Sequence, residues 1–326
     1  MNSARIHHIN TGLIILSCIV SFFIPFELFL FSYAVLGPLH YLTEIGWLHK
    51  KNYFTKGKND FLFLVIASVI IVWWNFHMPK NFYLIAHLTV ISILVSIVFV
   101  FMKDWLYRIA SVFLAIISIK FINNTNNYFI WIAIFLPTII HVFVFTWAFM
   151  LYGVLKEKSK PGLLSVLVLI ICACAIFLIQ PQGLFYNVSN FTKESYKNFS
   201  LLNIELINFF GMQKLQNTSE LFTSNAGFVI MRFIAFAYTY HYLNWFSKTS
   251  VIKWHLVPKK TLIITILLWV ASIAFYLYDY NLGLKVLFLL SFLHVFLEFP
   301  LNIVSFTGIG KELSALTKSN NSLLKN

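Results

Sequence analysis

Ten stretches of this chain are apolar over roughly 15 to 28 residues, close to the length a helix needs to cross a bilayer. They lie at about 10–25, 27–49, 60–77, 82–102, 105–122, 128–155, 161–180, 226–246, 260–279 and 283–306. A chain built this way has little room for a soluble core. Only 11% of its residues are charged and 60% are apolar, against about 25% charged in ordinary soluble domains. The sequence therefore predicts an all-α, polytopic integral membrane bundle. It predicts about ten transmembrane helices (8–10), forming a single transmembrane domain over 1–326. The first run is the shortest, and Pro25 separates it from the second, so the two could form one broken helix. Arg5 followed by an apolar run without a small-residue cleavage site reads as a first span, not a removed signal.

The formal charge of +13 would suit a nucleic-acid partner, but its distribution does not. Arg5, the Lys50/Lys51/Lys56/Lys58 block, Lys103 with Arg108, Lys156/Lys158/Lys160, Lys248/Lys253/Lys259/Lys260 and Lys311/Lys318/Lys325 occupy short connections and the tail. With ten spans all of these fall on one side, as the positive-inside rule requires. The expected topology has both termini cytoplasmic, a cytoplasmic tail at 307–326 and a multi-pass location in a bacterial inner membrane. No nucleic-acid partner is expected. The segment 181–225 becomes an extracytoplasmic loop, and Leu201–Leu215 within it has the mixed character of an interfacial helix. Cys18, Cys172 and Cys174 all lie in apolar runs without a CxxC, so no disulfide framework or zinc motif is expected.

Histidines interrupt four of these runs. His40 lies in Gly37-Pro38-Leu39-His40 with Glu44 one helical turn later, and His294 in Ser291-Phe292-Leu293-His294 with Glu298 one turn later. His141 and His241 lie in two further runs. In the ten-span topology all four helices run from outside to inside. The histidines then sit about 7 to 21 Å from the inner boundary at 1.5 Å per residue. Ionisable groups at such depth are costly and mark functional sites. Neutral imidazole is the commonest metal ligand, accepted by iron, copper and zinc. The expectation is that His40, His141, His241 and His294 hold a metal, with Glu44 and Glu298 orienting or joining the ligands. Which metal is not written in the histidines.

Other features carry blander expectations. Tyr238, Tyr240, Tyr242 and Trp245 around His241 read first as an interfacial aromatic belt, and second as the wall of an apolar substrate site. Arg232 lies near the outer end of its run, with Glu27 as a candidate partner. Pro38 and Pro137 each stand shortly before a site histidine.

The histidine pattern resembles the Brp/Blh family of membrane-bound β-carotene 15,15′-dioxygenases. Gly37-Pro38-Leu39-His40 with Glu44, Ile139-Ile140-His141, Tyr240-His241-Tyr242 and Leu293-His294 with Glu298 match its four short motifs in order, over roughly residues 30–306. The third motif of that family has a second histidine one turn on, where this chain has Trp245. The resemblance implies ferrous iron, Fe(2+), held by the four histidines and oriented by Glu44 and Glu298. It implies oxidative cleavage of a carotenoid by dioxygen to give retinal, with carotenoid, dioxygen and membrane lipids as partners. The residues alone leave other classes open: a transporter with a His/Glu proton relay, a haem or copper electron carrier, another iron-dependent lipid oxidase, or a structural membrane protein.

Overall fold

A computed structural model describes residues 3–78, 82–122, 128–180, 186–248, 253 and 256–323. Among these residues the fold is all helical. The helices are α1 (Ser3–Phe23), α2 (Pro25–Phe31), α3 (Gly37–Lys50), α4 (Phe61–His77), α5 (Phe82–Phe101), α6 (Trp105–Ile122), α7 (Thr146–Glu157) and α8 (Lys160–Leu178). They continue with α9 (Asn190–Tyr196), α10 (Ser200–Phe209), α11 (Asn225–Ser247), α12 (Lys259–Tyr278) and α13 (Tyr280–Leu323). Helix thus forms at each of the ten apolar runs. Seven candidate spans are long and apolar enough to cross a membrane, and the chain is a membrane protein. The helices over 61–77 and 105–118 fall short of that length. The stretch 307–323 continues α13 as helix.

The chain forms two compact units, Met1–Thr43 with Leu164–Ser291, and Glu44–Leu163 with Phe292–Asn326. The first is organised on α11, which packs against α1, α2 and α10. Almost every residue of α11 is buried. A helix enclosed by others need not be greasy, because its polar groups find partners instead of lipid. That is why α11 can carry Arg232, Thr239, His241 and Asn244. Ser224 caps its start, accepting the Gly227 N–H at 3.0 Å. By contrast, α12 buries only Ser272 and Tyr276.

Two departures from α geometry matter for the site. Residues Ser32–Leu36 are π-helical, immediately before Gly37-Pro38, and Ile130–Phe145 is a π-helix containing Pro137. Proline lacks an N–H and its ring strikes the carbonyl one turn back, so the wider π turn relieves the clash. The loosened backbone is re-bonded locally. The Trp269 indole donates to the Val35 carbonyl at 2.7 Å, and the Thr138 hydroxyl donates to the Ile134 carbonyl.

The described part of 181–225 forms α9, α10 and a 3₁₀ turn at Thr218–Phe222. Here α10 is shorter than the amphipathic stretch suggested. It closes at Gly211, whose φ of +63° is a left-handed conformation that glycine adopts without strain. Its Leu202, Asn203, Leu206 and Ile207 are buried. In the second unit, Asp60 accepts the Gly57 N–H at 2.8 Å and Arg108 Nη2 at 3.0 Å. This ties the loop after α3 to the start of α6.

Candidate functional site

The first unit brings two of the expected ligands together. Leading out of the first π segment, α3 places His40 against His241 of α11, with Nε2 atoms 3.1 Å apart. The rings meet edge to face at 4.7 Å between centroids. His40 is 1% exposed. Tyr242 lies 5.2 Å from the His40 ring, and its hydroxyl bonds that of Tyr41 at 2.8 Å. Gly37 makes room for these hydroxyls: a Cβ there would stand 3.0 Å from Tyr41 Oη and 3.3 Å from Tyr242 Oη. Ser32 and Thr239 pair one turn away at 2.8 Å.

Trp245, where the resembled family has a second histidine, packs 5.6 Å from the His40 ring. Its Nε1 donates to Thr43 Oγ1 at 3.0 Å. An indole N–H donates only, so this position cannot supply a metal ligand.

The second unit brings together the other two. His141, at 1% exposure on the Ile130–Phe145 π-helix, meets His294 of α13 with Nε2 atoms 3.1 Å apart. Glu298, one of the two carboxylates expected to orient or join the ligands, places Oε2 3.1 Å from Nδ1 of His141. A carboxylate facing Nδ1 favours the tautomer with the proton on Nδ1 and the lone pair on Nε2. Glu44, 2% exposed, lies one turn beyond His40 on α3.

The donors suit a metal. His40, His241 and His294 are buried and offer ligand nitrogens. Two imidazole nitrogens bound to one ion at about 2.0–2.1 Å, at angles between octahedral and tetrahedral, lie roughly 2.9–3.4 Å apart. Both observed separations fall in that interval. Uncharged imidazoles with a carboxylate behind one of them form a normal donor set for iron, copper or zinc.

No family model matches the chain, and no curated protein or solved structure matches it.

Two sequence expectations change. The tyrosines around His241 are not an interfacial belt: Tyr238, Tyr240 and Tyr242 are all buried, where a belt would face the headgroups. Arg232 does not pair with Glu27, whose carboxylate accepts from the Tyr186 hydroxyl and from Thr192 Oγ1, the latter at 3.1 Å. Burial and the neighbouring carboxylate push the Tyr186 phenol well above its ordinary pKa. Finally, the Tyr41–Tyr242 hydroxyl pair beside His40 went unnoticed in the sequence. Gly37 in Gly-Pro-Leu-His was the one available sign of it, read there only as part of a motif.

Proposed function

We propose that the protein is a membrane-embedded, iron-dependent oxygenase that cleaves a long apolar substrate, a carotenoid, to retinal. The observation that carries this reading is the pairing of buried imidazole nitrogens at metal-ligand spacing, His40 with His241 and His141 with His294. The four short histidine motifs supply the substrate class. The reading places the chain as a ten-span, multi-pass protein of a bacterial inner membrane, with both termini cytoplasmic.

Bound iron would supply activation of dioxygen. The four histidines would hold it, and the chain does the rest. Glu298 would face Nδ1 of His141 and so favour Nε2 as the ligand atom. Glu44 is a positioning carboxylate one turn beyond His40. Gly37 leaves room for the Tyr41 and Tyr242 hydroxyls to hydrogen-bond each other beside His40. Tyr238, Tyr242 and Trp245 are buried near the His40–His241 pair, an apolar aromatic setting that would suit a polyene and keep water away.

A second reading has its own support. At 3.1 Å each pair is also an ordinary imidazole hydrogen bond, and such bonds with a carboxylate behind them suit a proton relay or the interior of a transporter or structural protein. Expression in a β-carotene-producing host separates the two. Retinal should accumulate with the wild type and disappear with His141→Ala and His241→Ala at equal membrane abundance. An iron-replete wild type that leaves β-carotene intact would defeat the oxygenase reading.

A further inference from the structure

Among the described residues, Arg232 is a buried cation of the first unit that the histidine reading does not use. It sits on α11 and is 0% exposed. Its Nε, Nη1 and Nη2 are all buried and none has a hydrogen-bond partner among the described residues. The guanidinium carbon lies 4.8 Å over the Phe22 ring of α1, which covers one face of the plane and leaves the edge donors to point elsewhere. Its neighbours on α11, Met231 and Phe233, are buried and apolar, as is Phe228 one turn back.

Guanidinium cannot shed its proton to escape such a place. A charge buried without a counter-charge is among the most unfavourable features a fold can carry. The carboxylate that stands nearest in sequence logic, Glu27, is already taken by Tyr186 and Thr192. The missing partner must therefore come from outside the described chain. A planar fork of N–H donors matches the two oxygens of a carboxylate or phosphate. The surroundings choose how that group is carried. Phe22 is flanked by Ile19 and Phe23, which α1 leaves 51% and 56% exposed. These exposed apolar side chains beside Phe22 suit the tail of an amphiphile whose anionic head meets the guanidinium.

We propose that Arg232 is an oxyanion site that binds the carboxylate or phosphate head of an amphiphile between α1 and α11. His241 lies nine residues further along α11, about 13.5 Å of helix rise, so the site is distinct from the histidine pair. It does not depend on iron or on carotenoid cleavage.

The test uses the delipidated full chain in a neutral detergent, with native mass spectrometry and thermal melting as readouts. The probes are inorganic phosphate, oleate and dioleoyl-phosphatidylglycerol, with oleyl alcohol as the uncharged control. Oleate or phosphatidylglycerol should bind saturably and raise the melting temperature, while oleyl alcohol should not. Arg232→Met should weaken anion binding by at least about tenfold, as expected for loss of charge-assisted hydrogen bonds. Arg232→Lys, a point charge without the fork, should fall between. Binding of phosphate alone would assign the same oxyanion site to a free anion. Equal binding of oleate and oleyl alcohol, binding unaltered in Arg232→Met, or no binding by any anionic probe would overturn the proposal. Where Arg232→Met does not fold, Arg232→Lys with wild-type affinity for every anion overturns it. Iron content should be the same in Arg232→Lys and wild type, so a failure here is separable from a failure of the metal reading.

Discussion

The two histidine pairs are alike at their meeting point and different behind it. Each places two Nε2 atoms 3.1 Å apart on helices distant in sequence. Behind His141 stands the Glu298 carboxylate. Beside His40 and His241 stand the Tyr41 and Tyr242 hydroxyls and the Trp245 indole. The same ligand type is therefore tuned in two ways. Glu298 places a carboxylate directly against the Nδ1 side of His141. Aromatic packing surrounds the His40–His241 pair. The difference teaches that Glu298 faces a ligand ring directly, so its substitution should act on metal affinity. Substitutions beside His40 should act mainly on packing.

The largest effect should come from Glu298→Gln. Losing the carboxylate behind His141 should weaken metal binding by roughly 10–100-fold while the volume is kept. Chelator competition reads this, with helical content by circular dichroism as the control. Unchanged affinity would erase the distinction between the pairs. Next comes Gly37→Ala, which forces a methyl group to 3.0 Å from Tyr41 Oη. Overpacking of this kind costs about 1–3 kcal/mol, so the melting temperature should fall while metal affinity changes much less than in Glu298→Gln. A Gly37→Ala protein of wild-type stability would show that the hydroxyl pair is not held by shape. The smallest effect belongs to Trp245→Phe. It removes the indole donor to Thr43, a hydrogen bond worth about 0.5–1.5 kcal/mol, and keeps most of the ring. A slight loss of stability with full metal content is expected. Loss of metal would mean that Trp245 positions His40 rather than packing against it.

Particular residues show what the sequence could and could not carry. His40, His141, His241 and His294 stood out because imidazoles are foreign to lipid-length apolar runs, and all four are buried. Glu298 also stood out, but its spacing does not say which histidine ring it faces. Its service to His141 depends on how two distant helices pack, which no local period encodes. Pro38 and Pro137 were visible, whereas the π turns that absorb them are a backbone response with no sequence signature of their own. Tyr238, Tyr240 and Tyr242 misled for a related reason. Aromatic residues near a helix end fit a headgroup belt, and only the enclosure of α11 by its neighbours shows that they are interior. The same enclosure explains why α11 falls outside the seven candidate spans although a helix forms there. Hydropathy reports contact with lipid, and a helix shielded from lipid is free to be polar.

The most direct test of the account is the metal content of the detergent-purified protein, reconstituted anaerobically with ferrous iron and measured by elemental analysis beside His141→Ala and His241→Ala. The account predicts stoichiometric iron in the wild type and its loss from both variants, with helical content unchanged. Iron absent from the wild type, or retained at full stoichiometry in both variants, would contradict it.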